Sequence, residues 1–295
     1  MVASGPRRQE GTSAPTPQRR GIRKGMYLLP SAFTAANIAM GYYAVMSALR
    51  GFQYMSESPG SNLQVAAIHF DNAAVAISWA ILFDTLDGRI ARMTKTTTEI
   101  GVQLDSISDV LTFGIAPAVL TYAWSYGSTF ADGSPQHKFG WFASFMFLIC
   151  GAFRLARFNV QAMRPRPLSE GTAKLDKKSF VGMPIPAAAG LLAALIHFNP
   201  TPLLSFGPQW GPLYSILVMV LVASLGALMI STIRYSSFKT VGGTRRSTHL
   251  TILFVVATGM LLWLFSRYVL LALVAAYALH GPLIKIASYF RRRSP

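Results

Sequence analysis

The sequence predicts an all-α integral membrane protein with about eight transmembrane helices. Three observations carry that expectation. Hydrophobic residues make up 52% of the 295 positions and charged residues only 13%, with a mean hydropathy of +0.39. Eight apolar runs have spanning or near-spanning length, at about 30–49, 72–92, 106–126, 141–160, 181–198, 212–232, 249–265 and 268–286. A hydrocarbon core about 30 Å thick needs about 20 helical residues, which these runs approach or meet. Threaded with the N-terminus inside, they leave 24 of the 27 Lys and Arg on one side. That is the asymmetry the positive-inside rule demands.

Taken in order, the elements support this threading. Residues 1–24 are rich in Arg, Pro, Ser and Thr and carry six basic residues, so they read as a disordered cytosolic tail. A cleaved leader is not expected, because the first run is about 19 residues long and lacks a convincing cleavage site. The second run is the weakest by hydropathy, since acidic residues interrupt it, and the polar turn Thr94 to Thr98 joins it to the third. Arg89, Arg92 and Lys95 lie at that turn, and seven basic residues lie from Arg154 to Lys178, from the inner end of the fourth run onwards. Pro184 and Pro186 open the fifth run, removing backbone donors and predicting irregular backbone where a cavity could lie. Four basic residues from Arg234 to Arg246 follow the sixth run, and four more lie from Lys285 to Arg293, from the end of the eighth onwards. Only Ser266, Arg267 and Tyr268 separate the last two runs, which predicts a helical hairpin. Arg50, Lys138 and Arg267 fall outside, as do Trp124, Trp141 and Trp210 at the outer interface, where indole rings prefer to sit.

The net charge of +16 is therefore a basic inner rim suited to anionic lipids and phosphorylated substrates. No nucleic-acid motif, P-loop, Gly-x-Ser-x-Gly or short repeat is present. Cys150 is the single cysteine, so an intramolecular disulfide and a thiolate metal cluster are excluded. The five histidines are scattered near span ends or in loops and form no ligand set.

Function is concentrated between Asp84 and Asp109. The frame reads Asp84-x2-Asp87-Gly88-x2-Ala91-Arg92-x8-Gly101-x3-Asp105-x3-Asp109. An Asp at the centre of a membrane helix costs about 2.5 to 3.5 kcal/mol on insertion scales, so four of them indicate a site. Offsets of three, four and seven keep Asp84, Asp87, Gly88 and Ala91 on one helical face; Gly101, Asp105 and Asp109 share a face of the next helix. Two antiparallel helices then aim four carboxylates into one cleft, opening to the cytoplasm. Gly88, Ala91 and Gly101 leave room there for a ligand or a close helix crossing. Oxygen-only ligands favour Mg²⁺, Mn²⁺ or Ca²⁺ over zinc or copper, and four Asp suit a two-metal site that clamps a phosphoryl group. From the residues alone, a proton or ion relay in a transporter, or helix-end acids facing water, are the alternatives.

Every fixed position of this frame resembles the signature of the CDP-alcohol phosphatidyltransferase family. The resemblance covers about residues 26–240. It implies an α-helical membrane enzyme with a six-helix catalytic core, usually a homodimer, that moves a phosphatidyl group from a CDP-lipid to an alcohol and releases CMP. By position, Asp84, Asp87 and Asp105 would be metal ligands, and Asp109 both a ligand and the general base. Gly88, Arg92 and Gly101 would lie at the CDP-lipid, with Thr98 a further contact. The stretch Pro30 to Asn37 resembles the family's polar segment at the first span, where Ser31, Thr34 and Asn37 would touch the nucleotide. The alternative for Thr34 and Asn37 is polar packing inside the helix. The implied organisation is the tail 1–24, a phosphatidyltransferase membrane domain 25–240, and a C-terminal hairpin and basic tail 241–295.

Three further motifs bear on the acceptor. Phe153 to Asn159, Phe180 to Ala189 and Arg234 to Lys239 resemble the family's bacterial serine-using branch. Eight spans, a bacterial inner membrane, and CDP-diacylglycerol and L-serine as substrates follow from that resemblance. Serine is zwitterionic, so a pocket selecting it wants a cation for the carboxylate, and Arg offers a planar fork. Arg154, Arg157 and Asn159 are the candidate serine contacts; both arginines also read as positive-inside anchors. Glycerol 3-phosphate, inositol phosphate or choline are the alternative acceptors, and an ion-coupled transporter is the alternative of another class.

Overall fold

The computed structural model describes residues 20–57, 62–94, 99–163, 179–236 and 248–291, with side chains for 32–57, 62–90, 100–160, 181–233, Tyr235, Met260 and 264–285. Among the described residues, six helices are long and apolar enough to cross a membrane: Ala32–Glu57, Leu63–Ile90, Ile100–Thr129, Pro135–Val160, Leu203–Ile230 and Leu264–Lys285. The chain is a multi-pass, almost wholly helical membrane protein. The run expected at 181–198 forms a shorter apolar helix, Ile185–Phe198. The run at 249–265 is helical in its backbone, but most of its side chains lie outside the described residues.

Helix α1 (Arg20–Glu57) and helix α2 (Leu63–Thr94) form the most extensive pair. Small residues let them approach: Ala44, Ala48, Ala66, Ala73, Ala74 and Ala80 are fully buried. A Cβ added at Gly51 would meet the Phe70 ring at 2.7 Å, and Ser47 donates to the His69 carbonyl at 2.8 Å. In lipid, such close packing and interhelical hydrogen bonding replace the hydrophobic drive of water.

The third span is not a regular helix. Helix α3 (Glu99–Asp109) passes into a π-helical turn, Val110–Ile115, before helix α4 (Ala116–Trp124) and the short helix α5 (Tyr126–Thr129). Gly41 of α1 packs on this turn, where a Cβ would collide with Thr112 Oγ1. Thr112 in turn donates to the Asn37 carbonyl at 3.2 Å. Turns of this kind are rare and concentrate at functional sites, and this one begins directly after Asp109.

Helix α6 (Pro135–Met163) packs against helix α8 (Gly207–Ile230), with Gly226 beside Cys150. Helix α7 (Ile185–Phe198) is a central post of about 21 Å, buried along most of its length and contacting α2 and helix α9 (Thr248–Arg291). It starts at Ile185, four residues later than the apolar run suggested. Gly182 has φ +81° and Pro184 is extended, so the chain enters the helix through irregular backbone.

That entry creates a feature absent from the all-α expectation. Strand β1 (Ser179–Val181) pairs antiparallel with strand β2 (Arg234–Ser236), placing Phe180 opposite Tyr235. The Gly182 amide donates to the Ile233 carbonyl at 2.8 Å, and the Met183 amide to the Leu228 carbonyl at 3.1 Å. A Cβ at Gly182 would collide with the Met229 carbonyl.

Helix α9 breaks at Phe265, whose φ and ψ are −135° and 44°. Ser266, Arg267 and Tyr268, expected as a connection, instead begin its second half. Polar contacts pin this break to the bundle. His197 Nδ1 lies 2.5 Å from Asp71 Oδ1, His197 Nε2 lies 3.0 Å from Ser266 Oγ, and Arg267 Nη2 is 3.9 Å from Asp71 Oδ2.

Candidate active site

Asp84 lies in the last turns of α2, while Asp105 and Asp109 lie one helical turn apart in α3. Each of the three offers a carboxylate oxygen, and these oxygens all lie within 4.8 Å of one another. Asp87 stands beside this trio, within electrostatic reach of Asp105. One Asp87 oxygen accepts a hydrogen bond from Thr34 of α1. The expected quartet is therefore three clustered carboxylates with a fourth turned towards the first span.

These groups are positioned but incompletely partnered. Asp87 Oδ1, Asp109 Oδ1, Asn37 Oδ1 and Ser108 Oγ are buried and have no hydrogen-bond partner among the described residues. A buried acceptor without a donor is costly, and crowded carboxylates repel. A hard divalent cation relieves both penalties and prefers all-oxygen donors. The donor set thus fits such an ion, held by Asp84, Asp105 and Asp109 with Asp87 adjacent.

The two arginines of α6 diverge. Arg154 is within electrostatic reach of both Asp109 and Tyr277 of α9, and its buried Nε has no hydrogen-bond partner among the described residues. Arg157 turns to the ribbon: Nη2 donates to the Val181 carbonyl at 2.9 Å and Nη1 to the Ile230 carbonyl at 3.2 Å. Asn159 Nδ2 donates to Ser106 Oγ at 2.8 Å, tying α6 to the helix that carries Asp105 and Asp109.

Thr34 and Asn37 are buried in α1, Thr34 bonded to Asp87 and the Asn37 carbonyl to Thr112. Gly88 and Gly101 are exposed on α2 and α3. Ser31 and Arg92 lie in described helices, but their side chains are outside the described residues, as is the whole of Thr98. The sequence reading did not single out the π-helical turn, Gly41 with Thr112, or Tyr277. A glycine inside the first apolar run and a phenol inside the last were the available signals.

A carboxylate cluster whose donors fit a hard divalent cation, built into a helical membrane bundle, defines a class of polytopic membrane protein with an acidic site. The profile of the CDP-alcohol phosphatidyltransferase family matches residues 27–223, and the chain belongs to that family. The CDP-diacylglycerol–serine O-phosphatidyltransferase of Helicobacter pylori (strain J99) is 33% identical over 217 residues, 73% of this chain and 75% of the relative. The protein of the same name from Methanocaldococcus jannaschii is 34% identical over 167 residues, 57% of this chain and 65% of its own length. That from Saccharomyces cerevisiae is 33% identical over 165 residues, 56% of this chain and 51% of its own length.

Proposed function

We propose that this protein transfers the phosphatidyl group of CDP-diacylglycerol to L-serine, giving phosphatidylserine and CMP in phospholipid biosynthesis. The observation that carries the reading is the carboxylate trio Asp84, Asp105 and Asp109, with Arg154 within electrostatic reach of Asp109. The names of the relatives support serine as the acceptor.

The chain's own residues divide the work. Asp84, Asp87, Asp105 and Asp109 would hold the cation, for which Mg²⁺ or Mn²⁺, two per site, is the proposed identity, with Ca²⁺ a further oxygen-preferring candidate. Divalent cations supply charge neutralisation at the transferring phosphoryl group and at the departing CMP. Thr34 fixes Asp87, while Ser31, Asn37, Gly88, Arg92, Thr98 and Gly101 form the CDP-lipid side. Asp109 Oδ1, buried without a donor, accepts the proton of the serine hydroxyl. The serine oxygen attacks the phosphatidyl phosphorus, and the bond to the CMP oxygen breaks. Arg154 receives the serine carboxylate. Arg157 holds the ribbon that backs this pocket, and Asn159 keeps α3 in register with α6.

The reaction takes place at the membrane because moving lipid tails into water costs about 0.8 kcal/mol per CH₂. The 24 basic residues on one side support a cytoplasm-facing site in a bacterial inner membrane. Homodimer assembly, as the family resemblance implies, completes the proposal. The test is CMP release by purified protein given CDP-diacylglycerol and serine, glycerol 3-phosphate, inositol phosphate or choline in turn. Release with serine alone is expected. Release with another alcohol and not serine overturns the acceptor assignment.

A further inference from the structure

We propose that Tyr277, on the C-terminal helix and packed on the strand pair that Arg157 braces, is a positioning and specificity residue of the acceptor pocket, acting through Arg154. The inference rests on the acceptor reading above and extends it to a helix beyond the family match, which ends at residue 223.

Three observations lead there. First, the inner half of α9 is docked tightly rather than loosely appended. Tyr235 is fully buried, and its hydroxyl donates to the Ala278 carbonyl at 3.4 Å. A Cβ at Gly281 would come 2.5 Å from the Tyr235 ring, so only glycine permits this approach. Second, Tyr277 stacks obliquely on the same ring, with centroids 5.8 Å apart and planes at 38°. Tyr235 belongs to the strand pair that Arg157 braces, so the position of Tyr277 is tied to the wall of the site. Third, Tyr277 is within electrostatic reach of Arg154, which itself reaches Asp109. A guanidinium within reach of both a carboxylate and a phenol has two groups that can bias the direction of its fork.

The placement has a chemical rationale. Phosphatidyl transfer is common to acceptors of many kinds, so the groups that read the acceptor need not lie in the shared region. An α-amino carboxylate needs a planar cation held in one orientation, and a phenol can supply a hydrogen bond without adding charge. Tyr277→Phe retains the ring contact with Tyr235 and removes only the hydroxyl.

The test is steady-state kinetics of purified wild-type protein and Tyr277→Phe, varying serine and CDP-diacylglycerol separately. A rise of roughly tenfold in the KM for serine is expected, the scale of one hydrogen bond to a charged group. The KM for the CDP-lipid should stay within about twofold and the thermal midpoint should be unchanged. A serine KM equal to wild type, or an equal change for both substrates, overturns the role of Tyr277. Wild-type protein that releases no CMP with serine instead overturns the acceptor reading itself, so the two failures are separable. If Tyr277→Phe unfolds, Tyr235→Phe supplies the control. It removes the bond to Ala278 and should lower stability without favouring one substrate, whereas an acceptor-specific effect there overturns the assignment to Tyr277.

Discussion

Arg154 and Arg157 lie one turn apart on α6 yet have different surroundings: Arg154 is within electrostatic reach of Asp109, while Arg157 donates to the carbonyls of Val181 and Ile230. On the proposed reading, the pair separates a chemical role from a structural one. Arg154→Ala should raise the KM for serine about ten- to 150-fold, the range of a charge-assisted hydrogen bond, and reduce the preference for serine over ethanolamine. Arg157→Ala should lower the thermal midpoint and protein level without changing that preference. Acceptor-preference assays on both purified variants check the division, and the reverse pattern would reassign the two residues.

Asp109→Asn keeps the size of the side chain but removes a proton acceptor and a negative ligand. Turnover should fall at least about 10²-fold, the usual scale for loss of a general base, while CDP-lipid binding survives better than turnover. Near-wild-type CMP release by this variant would exclude Asp109 as the base.

Chelation should abolish activity, and added Mg²⁺ or Mn²⁺ should restore it, because the three clustered carboxylates repel one another and the lipid's phosphates. The measurement is CMP release before and after metal removal. Full activity of metal-stripped protein would contradict the cation-binding role of the trio.

Gly182→Ala tests the ribbon. At φ +81° an alanine carries a left-handed backbone cost of about 1–2 kcal/mol, and its Cβ collides with the Met229 carbonyl. A drop of several degrees in the thermal midpoint is expected, at roughly 2–4 °C per kcal/mol for a chain of this size. An unchanged midpoint would mean that the ribbon contributes little to stability.

Much of the site was legible because its information is local. Asp84 with Asp87, and Asp105 with Asp109, sit at helical offsets, so two helices and a short turn suffice to bring them together. The membrane class was legible for the same reason, since run length and the side on which Lys and Arg fall are additive along the chain. What escaped depends on distant partners. Thr34 and Asp87 are 53 positions apart, and only the crossing of α1 and α2 reveals why Asp87 leaves the trio. Nothing local distinguishes Arg154 from Arg157, because the difference lies in Asp109 and in the ribbon carbonyls. The ribbon itself needs β1 and β2 to meet across two helices, although Gly182 and the prolines did announce irregular backbone. The π-helical turn has no composition of its own; only the packing of α1 on the third span shows Thr112 seated closely on Gly41.

The most direct test of the whole account is conversion of labelled L-serine by purified protein in lipid vesicles containing CDP-diacylglycerol. The account predicts label in phosphatidylserine, CMP released in equal amount, and loss of both in Asp109→Asn that still folds. CMP release without serine label in lipid, or serine incorporation that persists in Asp109→Asn, would contradict it.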